Sequence, residues 1–345
     1  MMISLFHTEY PMINFIKAVL AHAASLDDLQ AHVRKGKGNS VQFVRYFVAV
    51  AKERHFARAA KLCGVSQPTL SAGLANLELE LGKRLVVRDR RFVALTAEGE
   101  AILPWAQQLL AAREAMALAA ESPGGVLHGE LRIGIIPAAM PLSGQLVKAL
   151  LAEQSEITIS VRSLTSREIA RGLAASELDA GVTYLDHEPL ADALSVELYQ
   201  ETYLYMKRRT EGDERKHISC ADALKEPLCI LHQGMQNRRI LDQRLAERGL
   251  SLHPRATADS YVALLSLVQT GNFATIIPDS YAALLPDLEW AHVMPFDSPL
   301  PSSRIGLIVR DQALLSPMAS AALSAARNMQ FPPAICQVID FSYHS

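Results

Sequence analysis

The run His55–Leu81, HFARAAKLCGVSQPTLSAGLANLELEL, restricts the fold more than any other stretch of the chain. Ala57, Ala59, Ala60 and Leu62 make a short helix of small residues, which Gly64 breaks, and Gly64-Val65 forms a tight corner. Ser66 then stands where an N-cap belongs, and Pro68 falls in the first turn, where its missing N–H costs least. Leu70, Leu74, Leu77 and Leu81 follow at helical spacing, so a second helix is predicted with its leucine stripe buried against the first. Gln67, Thr69, Ser71, Ala72, Ala75 and Asn76 are left on its other faces. This is a helix-turn-helix, and its second helix has the form that enters a DNA major groove. Two helices of an ordinary all-α domain carry the same pattern, because αα-corners with glycine are common.

The next segment separates the two readings. LGKRLVVRDRRFVALTAEGE is an apolar run, a basic turn, a second apolar run and a new helix start at Thr96. It reads as a β-wing with arginines at its tip. The net charge of −2 hides an asymmetry, since residues 41–98 carry ten Lys and Arg against five Asp and Glu, while residues 99–345 carry 20 against 28. The basic piece coincides with the helix-turn-helix, as counterion release from a nucleic acid requires.

At these residues the chain resembles the LysR-type transcriptional regulators. The likeness spans about Val41 to Arg327 and is strongest over VRYFVAVAKERHFARAAKLCGVSQPTLS and LELELGKRLVVRDRRFVALTAEGE. It implies DNA contacts from Gln67, Pro68, Thr69 and Ser71, with Arg90 and Arg91 reaching a minor groove from the wing. Gln67 is expected to pair bidentately with adenine or to accept from and donate to other base edges, and Pro68 to offer an apolar surface to a thymine methyl. Where family members commonly carry arginine after the serine of this motif, the chain has Ala72, so one base or phosphate contact is expected to be missing.

The rest of the chain reads as follows. Residues 1–40 form a poorly packed extension or, alternatively, a basic arm reaching DNA through Arg34, Lys35 and Lys37. Residues 41–98 are the winged helix-turn-helix domain. Residues 99–121 are a linker helix that dimerises, because Ile102, Trp105, Leu109, Ala112 and Met116 recur at alternating steps of three and four. A second stripe, Leu103, Leu110 and Ala117, widens its apolar face, and Pro104 is expected to bend it. After a hinge at Ser122-Pro123-Gly124-Gly125, strand and helix patterns alternate through 130–345, which predicts parallel sheets with crossover helices. The resemblance implies two Rossmann-like subdomains, 130–199 with 294–328 and 200–293, similar to periplasmic solute-binding proteins. The expected fold class is therefore α+β multidomain: winged helix-turn-helix, long linker helix and C-terminal α/β effector domain.

In such sheets ligands bind beyond strand C-termini and at helix N-termini. Three segments qualify: Pro137-Ala138, Thr165-Ser166, and Gln233 with Met235, Gln236 and Asn237. The resemblance implies a small effector, often an anion, in the cleft between the subdomains. Arg162, Arg167, Arg238 and Arg239 lie nearby in sequence and are expected to be solvated.

Cys63, Cys220, Cys229 and Cys336 show neither CxxC nor metal-ligand spacing, which fits a reducing cytoplasm. No cofactor or metal is expected. No glycine-rich nucleotide loop, HExxH or GxSxG supports an enzyme. No apolar run reaches the ~18 residues of a membrane span. The resulting expectation is a cytoplasmic homodimer or homotetramer that binds a double-stranded operator and responds to a small molecule. The alternatives are a thiol-based peroxide-sensing regulator of the same family, and a solute-binding module with a degenerate DNA domain. Because Cys229 falls on a predicted buried strand, whereas the sensing cysteine of peroxide-responsive relatives aligns near Met235-Gln236, a structural cysteine is the favoured reading.

Overall fold

The computed structural model describes residues 40–329 except 89–91, 122–125, 188–189, 191, 213, 285–288 and 313. The expectations for residues 1–39, for the Arg90–Arg91 wing tip, for the 122–125 hinge and for Cys336 lie outside the described residues. The chain forms two compact units that divide after Leu110.

In the first unit, α1 (Ser40–Glu53), α2 (Phe56–Cys63) and α3 (Gln67–Leu81) precede a hairpin of β1 (Val86–Arg88) and β2 (Phe92–Leu95). The corner between α2 and α3 is made by Gly64 at φ +70, where its N–H closes onto the carbonyls of Ala60 and Lys61. Only glycine takes this left-handed C-cap without strain. Ser66 caps α3 through its side chain. Phe47, Val50, Ala59, Leu70, Leu74 and Leu85 are fully buried in one core. Leu81 departs from the predicted stripe: it is 40% exposed, in the last turn before the C-cap Gly82, and Glu78 takes the inward place instead.

Helix α4 (Ala97–Glu121) starts at Thr96, whose Oγ1 accepts the Gly99 N–H at 2.9 Å and donates to the Arg84 carbonyl at 2.6 Å. A side chain at 99 would place its Cβ 2.1 Å from the Leu85 carbonyl oxygen, so glycine lets the helix start against the base of the wing. Trp105, Leu109 and Met116 are 64%, 44% and 69% exposed on this helix.

The second unit opens with β3 (Gly129–Ile135), a 3₁₀ turn (Pro137–Leu142), α5 (Ser143–Glu153), β4 (Ile157–Ser163), α6 (Ser166–Ala174), β5 (Ala180–Tyr184) and β6 (Ala193–Glu201). It continues with β7 (Tyr203–Arg208), α7 (Cys220–Ala223), β8 (Cys229–Leu231), α8 (Gln236–Ala246), β9 (Ala256–Ala258) and α9 (Tyr261–Gln269). It closes with β10 (Ala274–Pro278), α10 (Asp279–Leu284), β11 (Ala291–Pro295), β12 (Ser303–Arg310) and α11 (Pro317–Asn328).

The first sheet has the order β4-β3-β5-β12-β6. Its β4, β3 and β5 are parallel, but β12 runs antiparallel between β5 and β6, so the sheet is mixed rather than parallel. The second group joins the parallel pair β8-β9 to the antiparallel trio β10-β7-β11 through a bridge from Leu228 to Ala274. Strands β6 and β7 belong to different sheets, and the chain passes from one to the other at Thr202, close to the expected boundary at 199–200. The return passage lies between Phe296, still bridged to Ile218, and Ser303 at the start of β12. It falls later than the sequence suggested, because Ala291–Pro295 pairs with β7.

Candidate functional site

The face for DNA. Gln67, Pro68 and Thr69 are all exposed in the first turn of α3, and Ser71 is half-buried one turn further. The Ser66 Oγ that accepts the Thr69 N–H also lies 2.8 Å from Thr69 Oγ1, so the Thr69 hydroxyl belongs to the cap. Gln67 and Pro68 therefore present the free end of the helix. Sequence reasoning missed Glu78. Its buried carboxylate accepts the backbone N–H groups of Leu85 at 3.0 Å and Val86 at 3.3 Å, and Arg84 sits 3.6 Å away. One acid thus fixes the wing's first strand to the recognition helix. The available signal was an acid four residues after Leu74 on an otherwise apolar stripe.

The cleft in the second unit. A small cavity is lined by Ile136, Pro137, Ala138, Thr165, Ser166, Tyr184, Leu231, Met235, Gln236 and Asn237. It brings together Pro137, Ala138, Thr165, Ser166, Met235, Gln236 and Asn237 from three separate segments. Gln233 is not among its walls and is exposed. The cavity lies where β3 and the ends of α6 and α8 meet. Thr165 caps α6 in a reciprocal box with Glu168, whose carboxyl is held below its ordinary value by the Thr165 N–H and hydroxyl. Met235 is the N-cap of α8 and supplies no side-chain acceptor.

Hydrogen bonds cross the cleft. Ser166 Oγ donates to Gln236 Oε1, and Gln236 Nε2 donates to the His187 carbonyl at 2.6 Å. Asn237 Nδ2 donates to Tyr184 OH at 2.7 Å, Ser280 Oγ to the Ala138 carbonyl at 3.1 Å, and Tyr281 OH to the Pro137 carbonyl at 2.8 Å. Each bond joins a residue of one sheet's layer to a residue of the other's, so the two halves are closed on each other.

Behind the cavity is a buried polar group that the sequence reading did not find. Glu201, the last residue of β6, is wholly buried. Its Oε1 accepts from Tyr184 OH at 2.7 Å and from Asn237 Nδ2 at 3.1 Å, and its Oε2 has no hydrogen-bond partner among the described residues. Burial pushes this carboxyl up to about 8, the neighbouring Asp279 adds to the rise, and Arg244 opposes it. Asp279 itself is raised to about 6 by burial, while the Thr202 hydroxyl, 2.9 Å from its Oδ2, holds it back. Tyr203 and Tyr261 close the group, the latter donating to Asn237 Oδ1 at 3.0 Å.

Of the nearby arginines, Arg238 is not solvated as expected: it is 3% exposed, paired with Asp242 at 2.8 Å, and donates to the Leu231 carbonyl. Arg162 and Arg167 are exposed, and Arg239 is half-buried and bonded to the Gly234 carbonyl. Cys220 and Cys229 are both buried, with thiols raised by burial, Cys229 to about 11. Neither lines the cavity. Among the described residues no group of His, Cys, Asp and Glu could hold a metal, and no helix is long and apolar enough to cross a membrane.

Comparison with known proteins adds an independent line. Residues 41–100 match the model of the bacterial regulatory helix-turn-helix protein, lysR family, and residues 124–330 match that of the LysR substrate binding domain. A probable hydrogen peroxide-inducible genes activator of Mycobacterium avium is 32% identical over 275 residues, covering 78% of this chain and 88% of its own. The DNA-binding transcriptional dual regulator OxyR of Escherichia coli is 29% identical over 278 residues, 79% of this chain and 89% of its own. Among solved structures, a full-length OxyR variant from Pseudomonas aeruginosa superposes with a TM-score of 0.66 at 24% identity, over 84% of this chain and 98% of that one. Full-length CbnR complexed with its target DNA superposes at 0.60 and 22% identity, over 83% and 98%. Both likenesses are of fold.

Proposed function

The chain belongs to the LysR family of bacterial regulatory helix-turn-helix proteins, and from that membership we propose that it binds an operator as a dimer or tetramer and responds to a small molecule in the Ser166–Asn237 cleft. The observation that carries the DNA half is the exposed Gln67-Pro68 pair at the start of a helix whose Leu70, Leu74 and Leu77 are buried. Gln67, Pro68 and Ser71 read base edges and phosphates, Thr69 secures the cap, and Arg90 and Arg91 serve the adjacent minor groove. For the effector half, Pro137, Ala138, Thr165, Ser166, Met235, Gln236 and Asn237 line one cavity, and Gln233 stands outside its walls. A ligand shifts DNA affinity only if it binds two arrangements of the oligomer differently. The protein works in the cytoplasm as a regulator and not as an enzyme.

The test is a footprint on the region upstream of the gene. Protection of an inverted repeat is expected, and Gln67→Ala should relax the sequence requirement at one position per half-site, at a cost of about 1–3 kcal/mol. A mutant footprint identical to that of the parent removes Gln67 from the readout.

The names of the mycobacterial and enterobacterial relatives favour a second reading, a peroxide-sensing regulator. Thiol sensing needs an exposed, acidic cysteine with a resolving partner. Cys220 and Cys229 are buried with raised thiol pKa values, and Gln236 and Met235 stand in the cavity wall without a thiol. We therefore favour an effector recognised without thiol chemistry. Mass spectrometry after mild peroxide treatment should find both cysteines reduced, and a disulfide between them would reverse the preference.

A further inference from the structure

We propose that Glu201 is a proton-operated latch in the second unit: while it holds its proton the two sheet layers stay closed, and when it loses the proton they part. Its position in the chain suits it to this. Glu201 ends β6 in the first sheet, paired with Ser303, and the next residue, Thr202, carries the chain into the second. Its Oε1 accepts from Tyr184 OH of β5 and from Asn237 Nδ2 of α8, so one carboxyl oxygen joins both layers where the chain crosses between them. Asn237 is anchored on its own side by Tyr261, which donates to Oδ1 at 3.0 Å. The second oxygen of the acid, Oε2, is buried and has no hydrogen-bond partner among the described residues.

A neutral carboxyl tolerates that setting, and a carboxylate does not, because the buried anion forfeits its hydration without a donor on Oε2. The ionisable groups turned toward it give little relief. Tyr184, Tyr199, Tyr203, Tyr261 and Tyr281 are phenols that burial keeps neutral. Asp279 on α10 adds a like charge. Arg244 on α8 opposes it, but directs its Nη2 at the Ser302 carbonyl and at Ser303 Oγ, both at 2.8 Å. Parting the layers draws Asn237 away and lets water solvate the anion, so ionisation favours the open form. With the buried carboxyl at about 8 and the solvated one at 4.5, closure is fully supported below about pH 4.5 and weakens until the pH passes about 8. The bonds from Ser166 to Gln236, from Ser280 to the Ala138 carbonyl and from Tyr281 to the Pro137 carbonyl join neutral groups and keep their strength over this range. One other contact across the cleft responds to pH, in the opposite sense. Arg244 Nη2 lies 3.3 Å from His187 Nε2, which stops accepting when the ring gains a second proton, so this contact loosens on acidification.

Hydrogen exchange of the full-length chain, followed by mass spectrometry from about pH 6 to about pH 9 and corrected for the intrinsic exchange rate, reads the opening directly. Amides of α8 and of the Pro137–Leu142 turn should exchange faster as the pH rises, by up to about tenfold per pH unit, and level off above about pH 8. At every pH they should outpace the amides of β3, which exchange on global unfolding. Glu201→Gln keeps an acceptor for Tyr184 and has no proton to lose, so it should abolish the rise. Asp279→Asn removes the like charge and should move the levelling-off to lower pH; it carries the test if the glutamine variant folds poorly. A flat profile in the parent, a rise that survives Glu201→Gln, a levelling-off unmoved by Asp279→Asn, or opening on acidification overturns the latch. A common rate for α8 and β3 also overturns it, because the proton then governs unfolding of the whole unit and not the cleft. No effector is added, so the outcome stands apart from whether the cleft takes one.

Discussion

Glu201 is the residue whose chemistry departs furthest from the ordinary. Its acid form persists to about pH 8 in the folded chain, against 4.5 for the free side chain. Between those values the unfolded chain binds fewer protons than the native one. Stability contributed by this group therefore falls as pH rises from about 4.5 to about 8, by up to about 1.4 kcal/mol per pH unit. Asp279 adds the same sign between its ordinary 3.8 and about 6. Glu201→Gln should keep the Tyr184 contact and flatten the dependence of the melting temperature on pH above about 6, and an unaltered slope rules out a buried acid there. Glu78 supports a different prediction. Glu78→Ala leaves the N–H groups of Leu85 and Val86 without their acceptor, which should destabilise the first unit by about 1–3 kcal/mol in a chemical melt and weaken DNA binding. Both acids were hidden from a reading of the sequence for a shared reason. Each is an acid at a position whose periodicity demands an apolar residue, and its partners lie on other elements.

At the scale of elements, helices with capping chemistry were legible nearly to the residue. Ser66 and Thr165 each cap the helix that follows through a side-chain hydrogen bond. The short pieces were not legible: β9, α10 and β11 lack periodicity over three to six residues. The passage between the sheets was expected at 199–200, close to Thr202 where it occurs; Glu201-Thr202 contains no turn residue, and Asp279, far along the chain, fixes the break itself. The linker helix α4 carries its own prediction. Trp105 and Met116 leave much apolar surface in water, which a partner helix would cover. Replacing both by aspartate should shift the sedimenting species toward the monomer while leaving helix content intact, whereas an unchanged oligomer would place the interface elsewhere.

At the scale of the molecule, the division of labour followed from charge and pattern together. The basic stretch coincides with the helix-turn-helix, and the acidic remainder with alternating strands and helices. The mixed order of the first sheet was beyond reach, since β12 inserts between β5 and β6 from more than a hundred residues away. Of the cleft, seven of the eight expected residues meet at one cavity because each lies next to a strand end or helix cap. Gln233 stands outside it because the turn around Gly234, where the Gly234 N–H bonds to His232 Nδ1, leaves it exposed. The central claim is that the N-terminal unit grips duplex DNA through its basic face and recognition helix while the second unit senses a small molecule. Fluorescence anisotropy of the full-length chain on its upstream inverted repeat and on a scrambled duplex, across a series of salt concentrations, tests it most directly. The predicted result is affinity for both duplexes falling linearly with salt on logarithmic axes, with the inverted repeat bound more tightly at every concentration; equal affinity for the two duplexes, or binding indifferent to salt, contradicts it.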